Sequence, residues 1–271
     1  MKKNLLKSLC LAFLLGGTAI TANAQGIVVN KTDGTKVYYK ASEVQSVGVY
    51  GYGEGPGEDP DAHEYVDLGL PSGTLWATCN IGAEKPEEYG DYFAWGETSG
   101  FKDGKTDFSW STYRYYNSDG VTKYCTDSGS WYYDNKTELE MGDDAATVNW
   151  GVNWQMPSIE QFAELIDSNN TTTSWTTLNG VSGRMIVSKS NDKRIFLPAA
   201  GYRASTEGLL DSRYGFYWSR SLNMVDWTSS TYGRYLRFSS SEIEANPYNY
   251  GGSDYYYRYS GLCVRPVRVQ E

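Results

Sequence analysis

Phe196-Leu197-Pro198-Ala199-Ala200-Gly201-Tyr202-Arg203, Gly215-Phe216-Tyr217-Trp218-Ser219 and Val264-Arg265-Pro266-Val267 punctuate the last third of this 271-residue chain. The text between these blocks is of another kind: Arg220-Ser221-Leu222-Asn223-Met224-Val225-Asp226-Trp227, Tyr232-Gly233-Arg234-Tyr235, and Tyr248-Asn249-Tyr250-Gly251-Gly252-Ser253-Asp254-Tyr255-Tyr256-Tyr257-Arg258-Tyr259. Lys193 is the last lysine, while Tyr, Ser, Gly, Asn and Arg abound after it. Binding loops use that mixture, because Tyr and Trp give large contact area at small entropic cost and the short polar residues adapt their hydrogen bonds. Compact blocks alternating with such text predict an α+β domain of short strands, one or two helices and long ordered loops. The expected contact residues are Arg220, Asn223, Asp226, Trp227, Tyr235, Tyr248, Tyr250, Asp254, Tyr255, Tyr257 and Arg258. Within Tyr255–Tyr259 two readings stand, since strand neighbours face opposite sides: rings turned outward to a ligand, or tyrosines packing a loop-rich core.

The other end of the chain reads as an export signal. Met1-Lys2-Lys3 is basic, Leu5 to Ile20 is a short apolar run, and Ala22-Asn23-Ala24 precedes Gln25 as a small-x-small cleavage site. The run is too short to span a bilayer and no second one follows. Residues 1–24 are therefore expected to be a signal peptide, placing the rest in the periplasm, on the cell surface or outside. Losing Lys2, Lys3 and Lys7 takes the formal charge from -9 to -12. Nucleic acid, which needs basic patches against phosphate, is a poor partner for such a chain. Cys79, Cys125 and Cys263 remain. Either one pair bridges, a Cys79–Cys125 link closing about 45 residues for roughly 4 kcal/mol, or all three are small buried hydrophobes.

Taken in order, residues 25–50 predict a small β-unit, with strands Ile27–Val29 and Lys36–Tyr39 about an Asp33-Gly34 turn and a third at Ser46–Tyr50. So few residues bury no core of their own, which makes this unit a candidate contact for a surface assembly partner. Residues 51–63, rich in Gly, Pro and acid, read as a linker, with His63, the only histidine, at its end and without the pocket a general base requires. From Glu64 one domain is expected, with strands Tyr65–Leu70 and Leu75–Cys79, a short helix begun by Pro86-Glu87-Glu88-Tyr89, and loops from Phe101 to Lys136. The firmest helix is Ile159–Asp167: Ser158 and Gln161 form a capping box, and Ile159, Phe162, Leu165 and Ile166 share one face. A hairpin pairs Gly183–Ser188 with Arg194–Leu197.

Several of these blocks, with others upstream, resemble a known family. Val66-Asp67-Leu68-Gly69-Leu70-Pro71-Ser72-Gly73, Trp76-Ala77-Thr78-Cys79-Asn80-Ile81-Gly82-Ala83 and Glu87-Glu88-Tyr89-Gly90-Asp91-Tyr92-Phe93-Ala94-Trp95-Gly96-Glu97 are similar to the Fibrobacter succinogenes major paralogous domain. So are Asp143-Asp144-Ala145-Ala146, Trp154-Gln155-Met156-Pro157-Ser158 and the three C-terminal blocks. The resemblance covers Glu64 to Arg268. It implies a C-type-lectin-like fold, akin to the variable proteins of diversity-generating retroelements, whose diversified positions precede a constant tail. The Glu-Pro-Asn, Gln-Pro-Asp and Trp-Asn-Asp motifs of calcium-dependent lectins do not occur here, and no run has calcium-loop spacing; neither cofactor nor metal is expected. The resemblance implies more about fold than about chemistry; the residue mixture itself carries the expectation of ligand recognition, of a glycan or a protein, with no catalytic residue assigned. A structural or appendage subunit is the alternative and a glycan hydrolase, which needs two carboxylates at fixed separation, a remoter one. Arg203, Arg265 and Trp218 are expected to hold the fold.

Overall fold

The computed structural model describes residues 63–223, 229–245 and 257–268, Ser229 in its backbone only, and the backbone of four strands in the first 62 residues. The chain divides into two compact units, Met1–Pro60 and Asp61–Glu271, a division falling inside the stretch 51–63. In the first unit β1 (Phe13–Leu15), β2 (Thr18–Asn23), β3 (Gly26–Asn30) and β4 (Lys36–Lys40) form an antiparallel meander in that order. Val29 pairs with Val37 and Ile27 with Tyr39. The strands β1 and β2 lie within the expected signal peptide. The expected strand Ser46–Tyr50 lies outside the described residues.

The second unit is built of small antiparallel sheets with two α-helices among its described residues, an α+β arrangement. Its ends meet in one sheet. The strand β5 (Tyr65–Asp67) pairs with β6 (Leu75–Ala77), and β18 (Val267–Arg268) lies between β6 and β9 (Trp154–Gln155). The first strand is shorter than expected because Asp67 Oδ1 accepts the Gly69 N–H at 2.7 Å and Gly69 turns with φ +60°, a side-chain-closed turn that ends the ladder. The expected helix at Pro86–Tyr89 does not form. One turn closes, Glu88 N–H to Lys85 O, and Gly90 then takes φ +77° with a would-be Cβ 2.4 Å from Ile81 O, so the chain leaves for a tight contact only glycine allows.

The acidic pair Asp143-Asp144 sits where a 3-10 turn, Met141–Asp143, passes into α1 (Ala145–Trp150). Asp144 caps α1, accepting from Ala146 and Thr147, and also takes the Met156 N–H. The helix α2 (Ile159–Ile166) carries its capping box as expected and buries Ile159, Phe162 and Leu165. The strands β10 (Thr171–Leu178), β11 (Val181–Ser188) and β12 (Arg194–Pro198) follow as a three-stranded sheet. The turn between the first two is Asn179-Gly180, with φ +48° and +88°, the paired left-handed geometry of a two-residue hairpin loop.

Two short strands, β13 (Tyr202–Arg203) and β14 (Leu209–Leu210), lead to the most buried strand, β15 (Gly215–Leu222). It pairs with β16 (Gly233–Phe238), with a register shift between Trp218 and Leu222, and β17 (Ile243–Ala245) completes that sheet. The C-terminal tail threads beside it: Leu262 bridges Phe93, Cys263 bridges Tyr217 and Gly261 bridges Arg203. The motif blocks thus meet in one core, where Trp76, Trp95, Trp154 and Trp218 are completely buried. Two of these rings also satisfy backbone, Trp95 Nε1–H donating to Ser219 O at 2.8 Å and Trp218 Nε1–H to Phe93 O at 2.9 Å. Arg265, fully buried, donates to Asn80 Oδ1, Ala77 O, Thr78 O and Phe196 O, tying β6 to β12. Arg203 lies over the Phe101 ring at 3.4 Å. All three cysteines are free thiols, Cys263 buried against Tyr89 O.

Candidate functional site

The long segment Phe101–Lys136 contains one further hairpin, β7 (Tyr116–Asn117) with β8 (Gly120–Val121), and a sequence of side-chain-closed turns. Asn117 Oδ1 accepts the Asp119 N–H, and Asp127 takes the Gly129 N–H on Oδ1 and the Ser130 N–H on its carbonyl. Ser130 Oγ accepts from Tyr132 N–H, and Asn117 Nδ2 donates to Tyr132 OH at 2.8 Å. Asp134 gathers the N–H groups of Tyr124 and Cys125, both at 2.8 Å. Those bonds hold Tyr124 at φ +57°, a left-handed conformation unusual for a bulky residue and a mark of local constraint.

These turns form one wall of a cleft of about 390 Å³ lined by Asp119, Cys125, Asp127, Ser130, Trp131 and Tyr132, with Ser230 and Thr231 opposite. Trp131 is 97% exposed, a solvent-facing ring among the residues that line the cleft. A large aromatic in that position is far outside the usual burial of tryptophan. The lining carries two carboxylates and no lysine or arginine.

The opposite wall joins a surface cluster of aromatic rings. Tyr232, next to Thr231, bridges Tyr257, and their rings stack at 4.8 Å. Tyr257 stacks in turn on Tyr259 at 5.1 Å, and Trp110 meets Tyr116, Tyr257 and Tyr259 at 4.5, 5.7 and 4.9 Å. Tyr257 and Tyr116 are 39% and 38% exposed. Tyr116 carries the cluster back to β8 and to Gly120 and Val121 of the cleft.

Arg258 lies beneath both walls. It is fully buried, and its guanidinium donates to Tyr113 OH at 2.9 Å, Ser230 O at 2.8 Å and Lys123 O at 3.0 Å, with its plane 4.7 Å from the Trp95 ring centre. Its own N–H bonds Thr231 O, and its carbonyl accepts from Trp95 N–H. Thr126 N–H reaches Ser230 Oγ at 3.0 Å. One side chain therefore links the Lys123–Tyr124 wall to the Ser230–Thr231 wall.

The expected contact residues separate into four groups. Tyr257 is exposed in the aromatic cluster. Arg258, Tyr235 and Asn223 are buried and cannot touch a ligand: Arg258 is occupied by carbonyls, Tyr235 packs on Phe216 and Trp218 in the core, and Asn223 is held where its N–H meets Tyr232 O. Arg220 is half-buried away from the cleft, its Nε at 2.7 Å from Glu138 and Nη1 on Gln155 Oε1. Asp226, Trp227, Tyr248, Tyr250, Asp254 and Tyr255 lie outside the described residues. His63, expected in a linker, stacks on Trp150 at 3.7 Å.

The acids with raised proton affinity lie elsewhere. Burial pushes Asp144 up to about 6, and burial also raises Asp91. Both are occupied by backbone, Asp144 at the α1 cap and Asp91 by the Tyr92 and Lys102 N–H groups. Asp143 is held below the usual carboxylate range: burial opposes this, while Lys123, Tyr115 and Tyr124 hydrogen-bond the ionised form. These are turn and cap acids. Compared with known protein families, curated proteins and solved structures, the chain finds no match. Trp131 lies outside the expected contact residues, although Ser128-Gly129-Ser130-Trp131-Tyr132-Tyr133-Asp134 has the same Gly, Ser and aromatic mixture as the C-terminal text.

Proposed function

We propose that this chain is an exported recognition module, with a C-type-lectin-like domain of the major paralogous type, that binds a glycan or protein and performs no catalysis. The observation that carries the reading is Trp131, almost fully exposed at the mouth of a cleft that is continuous with the Trp110–Tyr257 ring cluster. Exposed aromatics clustered in this way mark contact surfaces.

The test is a screen of the exported protein against a glycan array and a panel of bacterial and host surface proteins. The companion is the double variant Trp131→Ala, Tyr257→Ala, both changes being at exposed rings. Binding by the parent that disappears in the folded variant supports the reading. Binding of equal strength in both moves function away from this surface and overturns it.

A second reading, assembly into a surface structure, has its own observation. Cleavage after Ala24 removes β1 and β2, and β2 pairs with β3 from Ala19↔Asn30 to Asn23↔Gly26. The exported protein then presents an unpaired β3 edge, a template for strand addition. Light scattering on the exported form distinguishes the two: a concentration-dependent oligomer abolished by Val28→Pro favours assembly.

A further inference from the structure

The cleft chemistry narrows the ligand class, and the narrower statement rests on the recognition reading above. We infer that the Trp131 cleft takes an uncharged or amino-bearing pyranose sugar and discriminates against uronic and sialic acids.

A pyranose presents one apolar face of C–H groups and a rim of hydroxyls. The face of an indole is electron-rich and attracts the weakly positive C–H groups, so an exposed ring offers that face a platform. Trp131 is such a ring, 97% exposed. The hydroxyl rim needs acceptors and donors close to the platform. Asp127 spends one oxygen on Gly129 N–H, and an ionised carboxylate has about four acceptor sites, so capacity remains for sugar hydroxyls. Ser130 Oγ accepts from Tyr132 N–H and keeps a rotatable proton to donate. Tyr132 OH is oriented by Asn117. A volume of about 390 Å³ lies at the small end of ligand pockets, about 300–1,000 Å³, and suits a mono- or disaccharide.

Charge sets the selectivity. Asp119 and Asp127 line the cleft without a lysine or arginine among the lining residues, and the chain carries net negative charge. The nearby guanidinium of Arg258 is buried and committed to carbonyls and Tyr113. A sugar carboxylate entering this cleft meets two like charges, whereas a protonated amine meets two opposite ones.

The experiment is titration calorimetry of the exported protein with three probes: trimers of N-acetylglucosamine, of glucosamine and of galacturonic acid. Saturation-transfer NMR identifies the sugar face in contact. The variants are Trp131→Ala, Asp127→Asn and, as a comparison site, Trp227→Ala, with thermal unfolding confirming each fold. The glucosamine and N-acetylglucosamine trimers are expected to bind and the galacturonate trimer to bind weakest. Trp131→Ala weakens binding at least about tenfold, the scale of a hot-spot truncation. Asp127→Asn, which keeps the oxygen that holds Gly129 N–H, weakens the glucosamine trimer more than the neutral one. Tightest binding by galacturonate, sugar binding unaltered in Trp131→Ala, or loss in Trp227→Ala alone overturns the inference. So does the absence of sugar binding. If a protein partner from the surface screen is then lost with Trp131, recognition stands and the sugar assignment falls; if no ligand of either kind binds, both fall.

Discussion

Arg258 provides the sharpest test of how the cleft is held together. It is a buried cation without a carboxylate partner among the described residues: its donors go to Ser230 O, Lys123 O and the Tyr113 hydroxyl, with Tyr124 O at 3.5 Å. Substituting Arg258→Met keeps most of the stem volume and removes all of the donors. Tyr113 OH retains its bond to Trp95 O at 2.7 Å, so the Ser230 and Lys123 carbonyls lose their close guanidinium donors, each costing about 1–3 kcal/mol when buried without one, and Tyr124 O loses a long contact at 3.5 Å. The opposing effect is relief from burying a charge, which makes some wholesale replacements of buried ion pairs stabilising. It is outweighed here because the partners are backbone groups that no substitution at position 258 can remove. A net loss of about 3 kcal/mol follows, and a domain of this size shifts by about 2–4 °C per kcal/mol, so the melting temperature is expected to fall by roughly 6–12 °C. Differential scanning calorimetry of wild type, Arg258→Met and Tyr257→Ala provides the comparison. Tyr257, 39% exposed but in contact with the rings of Tyr232, Tyr259 and Trp110, is expected to cost about 1–2 kcal/mol through lost ring contacts, less than Arg258→Met. A fall below about 2 °C for Arg258→Met, or a rise, would show that relief of desolvation dominates and that Arg258 does not clamp the two walls.

Other outcomes follow from the core and the caps. Gly233→Ala places a Cβ 2.7 Å from the Trp95 ring and 2.9 Å from Trp218, and overpacking of this kind is expected to cost about 1–3 kcal/mol in urea unfolding. Ser158→Ala removes the α2 cap that accepts from Gln161 N–H and is expected to cost about 1 kcal/mol by the same assay. Asp144 offers a pH test: with its folded pKa raised to about 6, the native state holds a proton that the unfolded chain releases near the ordinary aspartate range. Its contribution is full below pH about 4 and is lost as pH rises through about 6, an order of 3 kcal/mol at about 1.4 kcal/mol per unit. The stability difference between wild type and Asp144→Asn should therefore move against wild type across that window. A difference that stays flat, or moves in favour of wild type, counts against buried desolvation at the α1 cap. Asp143, held low beside Lys123, has the opposite sign and loses its contribution only as pH falls below the ordinary carboxylate range.

Which parts of the molecule were readable from residues alone depends on whether the cause is local. The α2 capping box is local: Ser158 and Gln161 satisfy each other whatever surrounds them. The hairpin at Asn179-Gly180 was equally local, and its left-handed pair is written in the dipeptide. It went unread because β10 opens on Thr171-Thr172-Thr173 and shows little apolar alternation. Its strand character comes from pairing with β11 along its whole length, a tertiary cause. The Pro86 helix failed for the converse reason, a good local start cut short by the contact at Gly90.

Arg258 and Trp131 show the limit most clearly, because each sits where its chemistry alone places it least often. Strand alternation states that Tyr257 and Arg258 face opposite ways; it does not state which faces in. Here the charged residue goes inside, because the two wall segments leave carbonyls at Ser230 and Lys123 that need donors and no regular sheet is present to supply them. Trp131 goes outside on turns from Asp127 to Tyr132 that close on their own side chains. The two inversions have a common origin. A wall made of irregular turns must be stitched from within by a long multidonor side chain, and its crest, once its backbone is satisfied locally, is free to carry an apolar ring into solvent. Such a design separates the residue that shapes the cleft from the residues proposed to meet a ligand. It follows that changes at Trp131, Asp127 or Ser130 should alter which ligand binds while leaving the fold intact, and changes at Arg258 should abolish every ligand together.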